Sequence, residues 1–352
     1  MPKINNHILS ILILIETIII KLFQFLILPE KYFYDSNIIL GIINGTYLSG
    51  GSFLFAANFF KKINIFHFTS LAEWSWFISI VFTILIIYYL KITSRYLFII
   101  ASVALLNVYV FNLSKDIIQF LIFLLIFFVL KNKKLKSYYK LILCFLIFLY
   151  EALNFRIYYG IIAITLVIIY FLYNFYIKKQ SKINICKLIF LTILIFFIEI
   201  YAIKIISYEN YIPIITARSS VNEFRLESIN AITIIIDLLG ENTNYLIFIG
   251  NYLINAIRIM LPIELLLKGI KYIPFIIYQI FISYRILKGL KKINNENILW
   301  FALVISFLLV SIIFEPDFGS LIRHEAALTL PLLEIVFLTN SKKGSEKNEI
   351  ND

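Results

Sequence analysis

Residues 156–177 read RIYYGIIAITLVIIYFLYNFYI, and beyond Arg156 this run contains no Asp, Glu, Lys or Arg. A helix needs about 20 mostly apolar residues to cross a bilayer, whereas a barrel strand needs about 9–11. Only helices and closed barrels satisfy their backbone polar groups in lipid. A run of this length therefore predicts a transmembrane helix.

The composition of the whole chain supports the same interpretation. Of 352 residues, 61% are apolar and only 15% are charged, and the mean hydropathy is +0.90. Ordinary soluble domains are about 45–50% apolar and about 25% charged. A soluble core cannot bury this much apolar side chain, which excludes a soluble enzyme, a secreted disulfide scaffold and a disordered protein.

About ten apolar runs of suitable length occur along the chain, which predicts an all-α polytopic membrane protein with about ten transmembrane helices. A further apolar stretch, residues 231–268, is interrupted by polar residues and predicts an amphipathic or re-entrant segment. The ten runs are 7–28, 74–91, 94–113, 115–130, 138–154, 156–177, 187–208, 270–288, 297–314 and 320–338.

Lysine-rich connections between the apolar runs predict the orientation of the chain in the membrane. Segments 131–140, 178–187 and 285–292 are strongly basic, and basic loops favour the cytoplasm. This places both termini inside. We expect a single integral-membrane domain over 1–340 and a short polar cytoplasmic tail over 341–352. Because successive helices cross the membrane in opposite directions, segments 29–73 and 209–230 are expected as outer loops. Because topology accounts for the net charge of +11, nucleic-acid binding is not needed to explain it.

Charges at the predicted outer helix ends indicate an anion site. Ionisable groups near a membrane are costly and tend to mark pathways or sites, and the arginine fork matches phosphate oxygens. The neighbouring tyrosines could stack on sugar faces or belong to the interfacial aromatic belt. The cationic candidates are Arg156, Arg218, Arg225, Arg323 and Lys115, and the aromatic ones are Tyr158, Tyr159, Tyr32 and Tyr34.

The densest group of ionisable residues at a predicted outer helix end is Arg323-His324-Glu325. Histidine carries protons near neutral pH, so His324 is our leading candidate for a general base, with a structural role at the last helix as the alternative. The competing carboxylates are Asp116, Glu151, Asp317 and Glu325. The chain has no phosphate-binding glycine loop, no HExxH, no GxSxG and no DxD pair, so no metal or cofactor is expected.

Three short motifs give the chain a family resemblance: FNLSKDIIQ (111–119), NFRIYYG (154–160) and EPDFGSLIRHEAALTLP (315–331), with TARSSVNEFR (216–225) fitting an arginine-bearing outer loop. With these motifs and its helix pattern, the chain resembles the bacterial polysaccharide repeat-unit polymerases of the Wzy/EpsG type. Those enzymes serve O-antigen, capsular polysaccharide and exopolysaccharide biosynthesis.

The resemblance implies a multi-pass glycosyltransferase of the bacterial cytoplasmic membrane, related to the GT-C class, with its site facing outside. It implies a donor and an acceptor linked to undecaprenyl pyrophosphate, without nucleotide sugar, metal or cofactor. A flippase and a chain-length regulator would be its protein partners. Arg156, Arg218, Arg225 and Arg323 would hold the donor pyrophosphate, and His324 or a nearby carboxylate would take the proton from the acceptor hydroxyl.

Two alternatives stay open. The first is another lipid-linked-sugar transferase or ligase, in which Glu30 and Asp35 would be the catalytic carboxylates. The second is a flippase or transporter that forms no glycosidic bond. Crowding of the charges at one predicted face favours chemistry at an outer site over transport.

Overall fold

The computed structural model describes residues 6–89, 96–179, 183–226 and 232–338, with backbone alone for 224–226. The predicted tail at 341–352 lies outside the described residues. The described chain is helical, apart from one antiparallel bridge between Ile234 and Asp317. The α-helices are α1 (Asn6–Ile27), α2 (Tyr34–Ile43), α3 (Gly51–Ile63), α4 (Leu71–Tyr89), α5 (Tyr96–Leu105), α6 (Lys115–Lys131), α7 (Ser137–Asn154), α8 (Tyr159–Lys179), α9 (Ile185–Ile206), α10 (Tyr208–Leu226), α11 (Tyr245–Met260), α12 (Ile273–Leu290), α13 (Ile298–Phe314), α14 (Phe318–Ala327) and α15 (Thr329–Leu338).

Six of the described helical stretches are long and apolar enough to cross a membrane: α1, α4, α7, α8, α9 and the stretch Ile270–Leu290 that contains α12. Shorter apolar helices occur at Tyr96–Val110, α11, α13 and α15. The chain is therefore an all-α, multi-pass membrane protein. The count of about ten crossings and the cytoplasmic position of the termini stay predictions.

Both segments that we expect as outer loops contain helices. Segment 29–73 holds α2 and α3, and segment 209–230 is helical as far as Leu226. A search for membrane spans misses these helices because α2 and α3 are too short to cross a bilayer and α10 is only weakly apolar. Helix formation nevertheless satisfies the backbone N–H and C=O groups of these long connections within each segment.

The last predicted run, 320–338, is two helices rather than one. α14 ends at Ala327 and α15 begins at Thr329. Pro331 lies in the first turn of α15. It has no N–H, and its ring would clash with the carbonyl of Ala327 in a continuous helix. At this break the Thr329 hydroxyl donates a hydrogen bond to the carbonyl of Ala326 at 2.6 Å.

The chain divides into two compact units. The first unit comprises Met1–Asn132, Ile147–Tyr159 and Ile322–Leu333, and the second comprises Lys133–Leu146, Gly160–Leu321 and Glu334–Asp352. The expected single domain over 1–340 stays a prediction.

A buried lysine joins α1 to the end of α5 within the first unit. Lys21 is only 1% exposed, and its Nζ donates to the carbonyls of Asn107 at 2.6 Å and Phe111 at 2.9 Å. It also reaches the side chains of Gln24 and Asn112 at 3.0 and 3.2 Å. Here the helix continues from α5 as a π-helical turn, Leu106–Val110. A cation suits the unpaired carbonyls of a helix C-terminus.

Candidate functional site

Three stretches of the first unit supply charged side chains to one place. Asp116 lies in the first turn of α6, Arg156 lies in the connection between α7 and α8, and Arg323 and His324 lie in α14. Each stretch belongs to one of the three sequence motifs noted above. We call these four residues the Asp116 cluster.

The carboxylate of Asp116 is the centre of the cluster. Its Oδ2 lies 3.0 Å from Nε of Arg323, and its Oδ1 lies 3.8 Å from Nη2 of Arg156 and 3.5 Å from Nε2 of His324. The Asp116 side chain is only 1% exposed. A buried carboxylate is stable only when it is paired, and here two guanidinium groups share one carboxylate.

Arg156 connects the cluster to its surroundings. Its Nη1 donates to the hydroxyl of Tyr158 at 2.9 Å and to Oε1 of Gln119 at 3.3 Å. The same atom lies 3.1 Å from Nε2 of His324. An arginine only donates hydrogen bonds, so this contact requires the imidazole nitrogen to accept. Nε2 of His324 therefore carries a lone pair.

Arg156 lies outside the two candidate membrane spans that flank it. Burial on its own would lower the pKa of its guanidinium, but Tyr158 and Asp116 more than offset this and raise that pKa above its ordinary value. Arg156 is thus a permanent cation at this position. Arg323 is 30% exposed at its side chain, and an incoming anion can reach it.

Lys115 extends the positive region by one residue. Its Nζ lies 3.4 Å from Oδ2 of Asp35 and 3.7 Å above the ring of Phe53. A cation over an aromatic face is attracted by the ring. Asp35 lies in the first turn of α2 and Phe53 in the first turn of α3, so these helices of segment 29–73 pack against the start of α6.

The two predicted sugar-stacking tyrosines have different environments. Tyr158 is partly exposed and holds Arg156, whereas Tyr159 is fully buried. Tyr159 stacks on Tyr158 at a centroid distance of 4.8 Å and on Phe148 at 5.8 Å. The Tyr159 ring is thus already packed between aromatic neighbours, and its stacking on a sugar stays a prediction. Tyr158 stays a candidate.

Two further carboxyl groups of the first unit are almost completely buried. Glu151 in the last turn of α7 and Glu325 in α14 are each 1% exposed. Glu325 follows His324 directly, and its backbone carbonyl accepts from the N–H of Leu328 at the break between α14 and α15. Both were among the competing bases expected from the sequence.

Asp317 lies in the second unit. It caps the start of α14: its Oδ1 accepts from the backbone N–H of Ser320 at 2.7 Å. Its neighbour Glu315 accepts from the hydroxyl of Ser320 at 2.7 Å. A carboxylate at this position satisfies the free N–H groups of a helix start, and a catalytic role of Asp317 stays a prediction.

Arg218 also belongs to the second unit, and its donors are already engaged there. Its Nη1 donates to Asp237 at 2.9 Å and its Nε to the carbonyl of Glu315 at 3.0 Å, while Nη2 donates to the carbonyl of Ile312. Burial lowers the pKa of this guanidinium, and Asp237 only partly offsets the effect. The protein itself therefore engages the fork of Arg218, and its role in holding a pyrophosphate stays a prediction.

Asparagines complete this network around Asp237. The amide of Asn255 donates to Asp237 at 2.6 Å and that of Asn242 at 3.3 Å, and Asn251 donates to Asn242 at 2.9 Å. Arg258 lies against Glu264 through two hydrogen bonds of 2.7 and 2.8 Å. The polar residues that interrupt segment 231–268 thus satisfy one another, and whether this segment enters the bilayer stays a prediction.

Arg225 was expected at the site from the sequence, and Gln119 was not. Arg225 lies in α10, but its side chain is outside the described part of the chain. Gln119 accepts from Arg156, and its Nε2 donates to the carbonyl of His324 at 3.4 Å. Its spacing of three residues from Asp116 places both on one helix face, and this signal could have identified it.

Among the described residues, no group of three or more His, Cys, Asp and Glu side chains is placed to hold a metal ion. No protein-family model, no curated protein and no solved structure matches this chain. The features of this protein that bear on its function are therefore the chemistry of the Asp116 cluster and the membrane helices.

Proposed function

We propose that this protein is a glycosyltransferase that polymerises oligosaccharide repeat units carried on undecaprenyl pyrophosphate. It works at the outer face of a bacterial cytoplasmic membrane and builds O-antigen, capsular polysaccharide or exopolysaccharide. In each cycle the growing glycan leaves its pyrophosphate carrier and joins a hydroxyl group of a new lipid-linked unit. The chemistry uses neither a nucleotide sugar nor a metal ion.

The observation that supports this proposal most is the sharing of Asp116 by two arginines. Arg156 and Arg323 both face this carboxylate, and Lys115 with its partner Asp35 lies next to it. One carboxylate cannot neutralise two guanidinium groups, so the cluster retains positive charge. A pyrophosphate offers several oxygens to two planar forks, which suits bidentate binding.

Arg156 and Arg323 have a direct role in this chemistry. Negative charge develops on the pyrophosphate as the glycosidic bond to it breaks. Fixed cations at that position stabilise the transition state more than the ground state, which is usually the largest single contribution to catalysis. Asp116 holds both forks in place before substrate arrives, so little reorganisation is needed during the reaction.

The membrane position is consistent with a lipid-linked substrate. Asp116 lies at the start of α6 and Arg156 between α7 and α8, while Arg323 and His324 lie within the short helix α14. The lysine-rich connection 131–140 follows α6 at its opposite end. If that connection is cytoplasmic, the cluster faces outside, where polyprenyl-linked units are assembled into polymers.

The experiment that tests this function is the glycan length distribution of a strain lacking the gene. Wild-type protein, Arg323→Ala and a surface control, Lys288→Ala, are restored in parallel, and extracted polysaccharide is resolved on a gel. We expect wild type and Lys288→Ala to restore a ladder. Arg323→Ala should leave single repeat units.

The other outcomes of that experiment separate the alternatives. A normal ladder in the deletion strain would exclude polymerisation. Loss of one side sugar, reproduced by Asp35→Asn, would identify a single-sugar transferase. Lipid-linked units that accumulate inside the cell would identify a flippase.

A further inference from the structure

Between α3 and α4 the chain makes a turn that holds two apolar side chains in an exposed position. Ile65 is 73% exposed and Phe66 is 59% exposed. Single exposed apolar residues are common on protein surfaces and need no explanation. Here, however, the fold fixes both of them in place. We call residues 61–67 (KKINIFH) the α3–α4 tip.

Hydrogen bonds fix the conformation of the tip. The side-chain amide of Asn64 donates to the carbonyl of Phe68 at 2.9 Å, and its oxygen accepts from the N–H of Phe68 at 2.8 Å. The N–H of His67 donates to the carbonyl of Asn64 at 3.4 Å. His67 has a φ of 54°, a conformation that residues with a side chain seldom adopt. The chain thus accepts backbone strain in a turn from which Ile65 and Phe66 project.

Aromatic packing fixes the tip against α4. The ring of Phe66 lies 5.4 Å from that of Phe77, in the second turn of α4, and 5.5 Å from that of Phe68. The buried ring of Trp74 contacts Phe68 and also Phe60 of α3, each at a centroid distance of 5.2 Å. Trp74 therefore joins the end of α3 and the tip to the first turn of α4.

This packing places the tip beside a candidate membrane span. α4 has 19 residues, which at 1.5 Å per residue gives a length of about 29 Å, close to the hydrocarbon thickness of about 30 Å. Because α4 needs almost its whole length to cross, its first residue, Leu71, lies close to one surface of the hydrocarbon layer. Phe77 lies about 9 Å further along the helix. Phe66, which packs on Phe77, is therefore placed at the depth of the membrane interface.

The exposed side of α4 continues the apolar surface of the tip. Ile80, Val81 and Ile84 are exposed. They follow Phe77 at spacings of three, four and seven residues, so they lie on the same helix face as that ring. Phe66 lies at one end of this face. A continuous exposed apolar surface along a membrane-spanning helix marks contact with lipid.

Two lysines precede the apolar residues of the tip. Lys61 and Lys62 lie in the last turn of α3, and both are exposed. Within the described part of the chain neither forms a salt bridge, whereas Lys115 is paired with Asp35. The nearest acidic residue in the sequence, Glu73, accepts from backbone N–H groups before α4. The tip therefore presents two cations next to its apolar residues.

We propose that the α3–α4 tip docks on the membrane interface and binds anionic phospholipids. Its apolar residues, Ile65 and Phe66, lie among the acyl chains. Its lysines lie against the headgroup phosphates, so that apolar burial and attraction to anionic lipid act together. The first turn of α3 contacts Lys115, and lipid bound at the last turn of the same helix holds it in place there. This inference is independent of the proposed polymerase activity.

The test places a fluorophore on the tip of the full-length protein in vesicles of phosphatidylcholine and phosphatidylglycerol. Ile65→Cys, in a Cys186→Ser background, is labelled with nitrobenzoxadiazole, and Cys144 is buried. Glu30→Cys, at an exposed polar position of the same unit, is the matched control. Compared with this control, we expect at least about twofold more quenching by lipid with a nitroxide on its acyl chain and at least about twofold less quenching by iodide.

The same label measures the preference for anionic lipid. Nitroxide-bearing phosphatidylglycerol should quench labelled Ile65→Cys about twofold more strongly than nitroxide-bearing phosphatidylcholine, because lysines near a membrane surface attract anionic lipid. Adding Lys61→Gln and Lys62→Gln should bring this ratio to about one, since both cations are then lost. Lys31→Gln, an exposed control in the same unit, should leave the ratio unchanged.

Other results would overturn the proposal. Iodide quenching as strong as in the Glu30→Cys control would place the tip in water. Protection from both iodide and nitroxide lipid would mean that protein, such as a second copy of this chain, covers the tip. Equal quenching by the two nitroxide lipids without the lysine changes would exclude binding of anionic headgroups. If Ile65→Cys does not fold, Phe66→Cys reports on the same surface.

Discussion

Nη1 of Arg156 lies 3.1 Å from Nε2 of His324, and the arginine is necessarily the donor. When Nε2 accepts this hydrogen bond, the imidazole is neutral and its proton is on Nδ1. An imidazolium would place two cations in direct contact. His324 thus positions the Arg156 fork, together with Gln119 and Tyr158, and this relationship makes the shape of the fork as important as its charge.

Replacing Arg156 by lysine tests that point. Arg156→Lys keeps the positive charge but loses the planar fork that reaches Tyr158, Gln119 and His324 together. We expect at least about a tenfold loss of polymerisation, since lysine does not substitute at a multidentate site. Ladder length on a gel measures the effect. Unchanged ladders would mean that Arg156 acts only as a point charge.

Arg218→Ala should affect stability and not substrate binding. It removes the cation paired with Asp237 and the side-chain donor of two backbone carbonyls. Removing one partner of a buried ion pair typically costs about 3–5 kcal/mol. Thermal unfolding in detergent should show a clear decrease. A variant of normal stability with weak donor binding would support Arg218 as a substrate ligand.

Lys21→Met should destabilise the first unit. Without the ammonium, the carbonyl of Asn107 loses a buried donor, whereas that of Phe111 keeps the hydroxyl of Ser79. An unsatisfied buried group costs about 1–3 kcal/mol. The exposed Lys31 offers a matched control, for which Lys31→Met should change stability by less than about 0.5 kcal/mol. Equal melting temperatures for the two variants would contradict the role of Lys21.

Cysteine labelling tests the topology. Cys186 is exposed at the start of α9, whereas Cys144 is buried. We expect a membrane-impermeant thiol reagent to label Cys186 in inverted vesicles but not in intact cells. Glu30→Cys, in a Cys186→Ser background, should show the opposite pattern, because Glu30 lies in the predicted outer segment 29–73. Labelling of Cys186 from outside would reverse the orientation and place the cluster in the cytoplasm.

Hydropathy predicted most of the long helices within a few residues, because an apolar run of membrane length has few other uses. Run 138–154 corresponds to α7 and run 297–314 to α13. The helix of segment 209–230 escaped prediction since α10 is not apolar enough to be noticed. The break before Thr329 was overlooked although Pro331 marks it.

The candidate site was predicted only in part, for a geometric reason. A sequence shows how far a residue lies from the end of its helix, and hence its predicted depth in the membrane. It does not show which helices are neighbours in the plane of the membrane. Arg156 and Arg218 were grouped by predicted depth, yet Arg156 faces Asp116 and Arg218 faces Asp237. The two arginines therefore differ in the carboxylate with which each is paired, and predicted depth does not show that difference.

Lys21, which binds the carbonyl groups at the end of α5, also bears on the order in which the helices assemble. Lys21 leaves the ribosome early, but the carbonyl of Asn107 that receives it is synthesised 86 residues later. Until then α1 carries a charge in its apolar stretch, which costs about 2.5–3.5 kcal/mol at the centre of a membrane helix. The contacts that compensate for this charge therefore form only after α5 has been made.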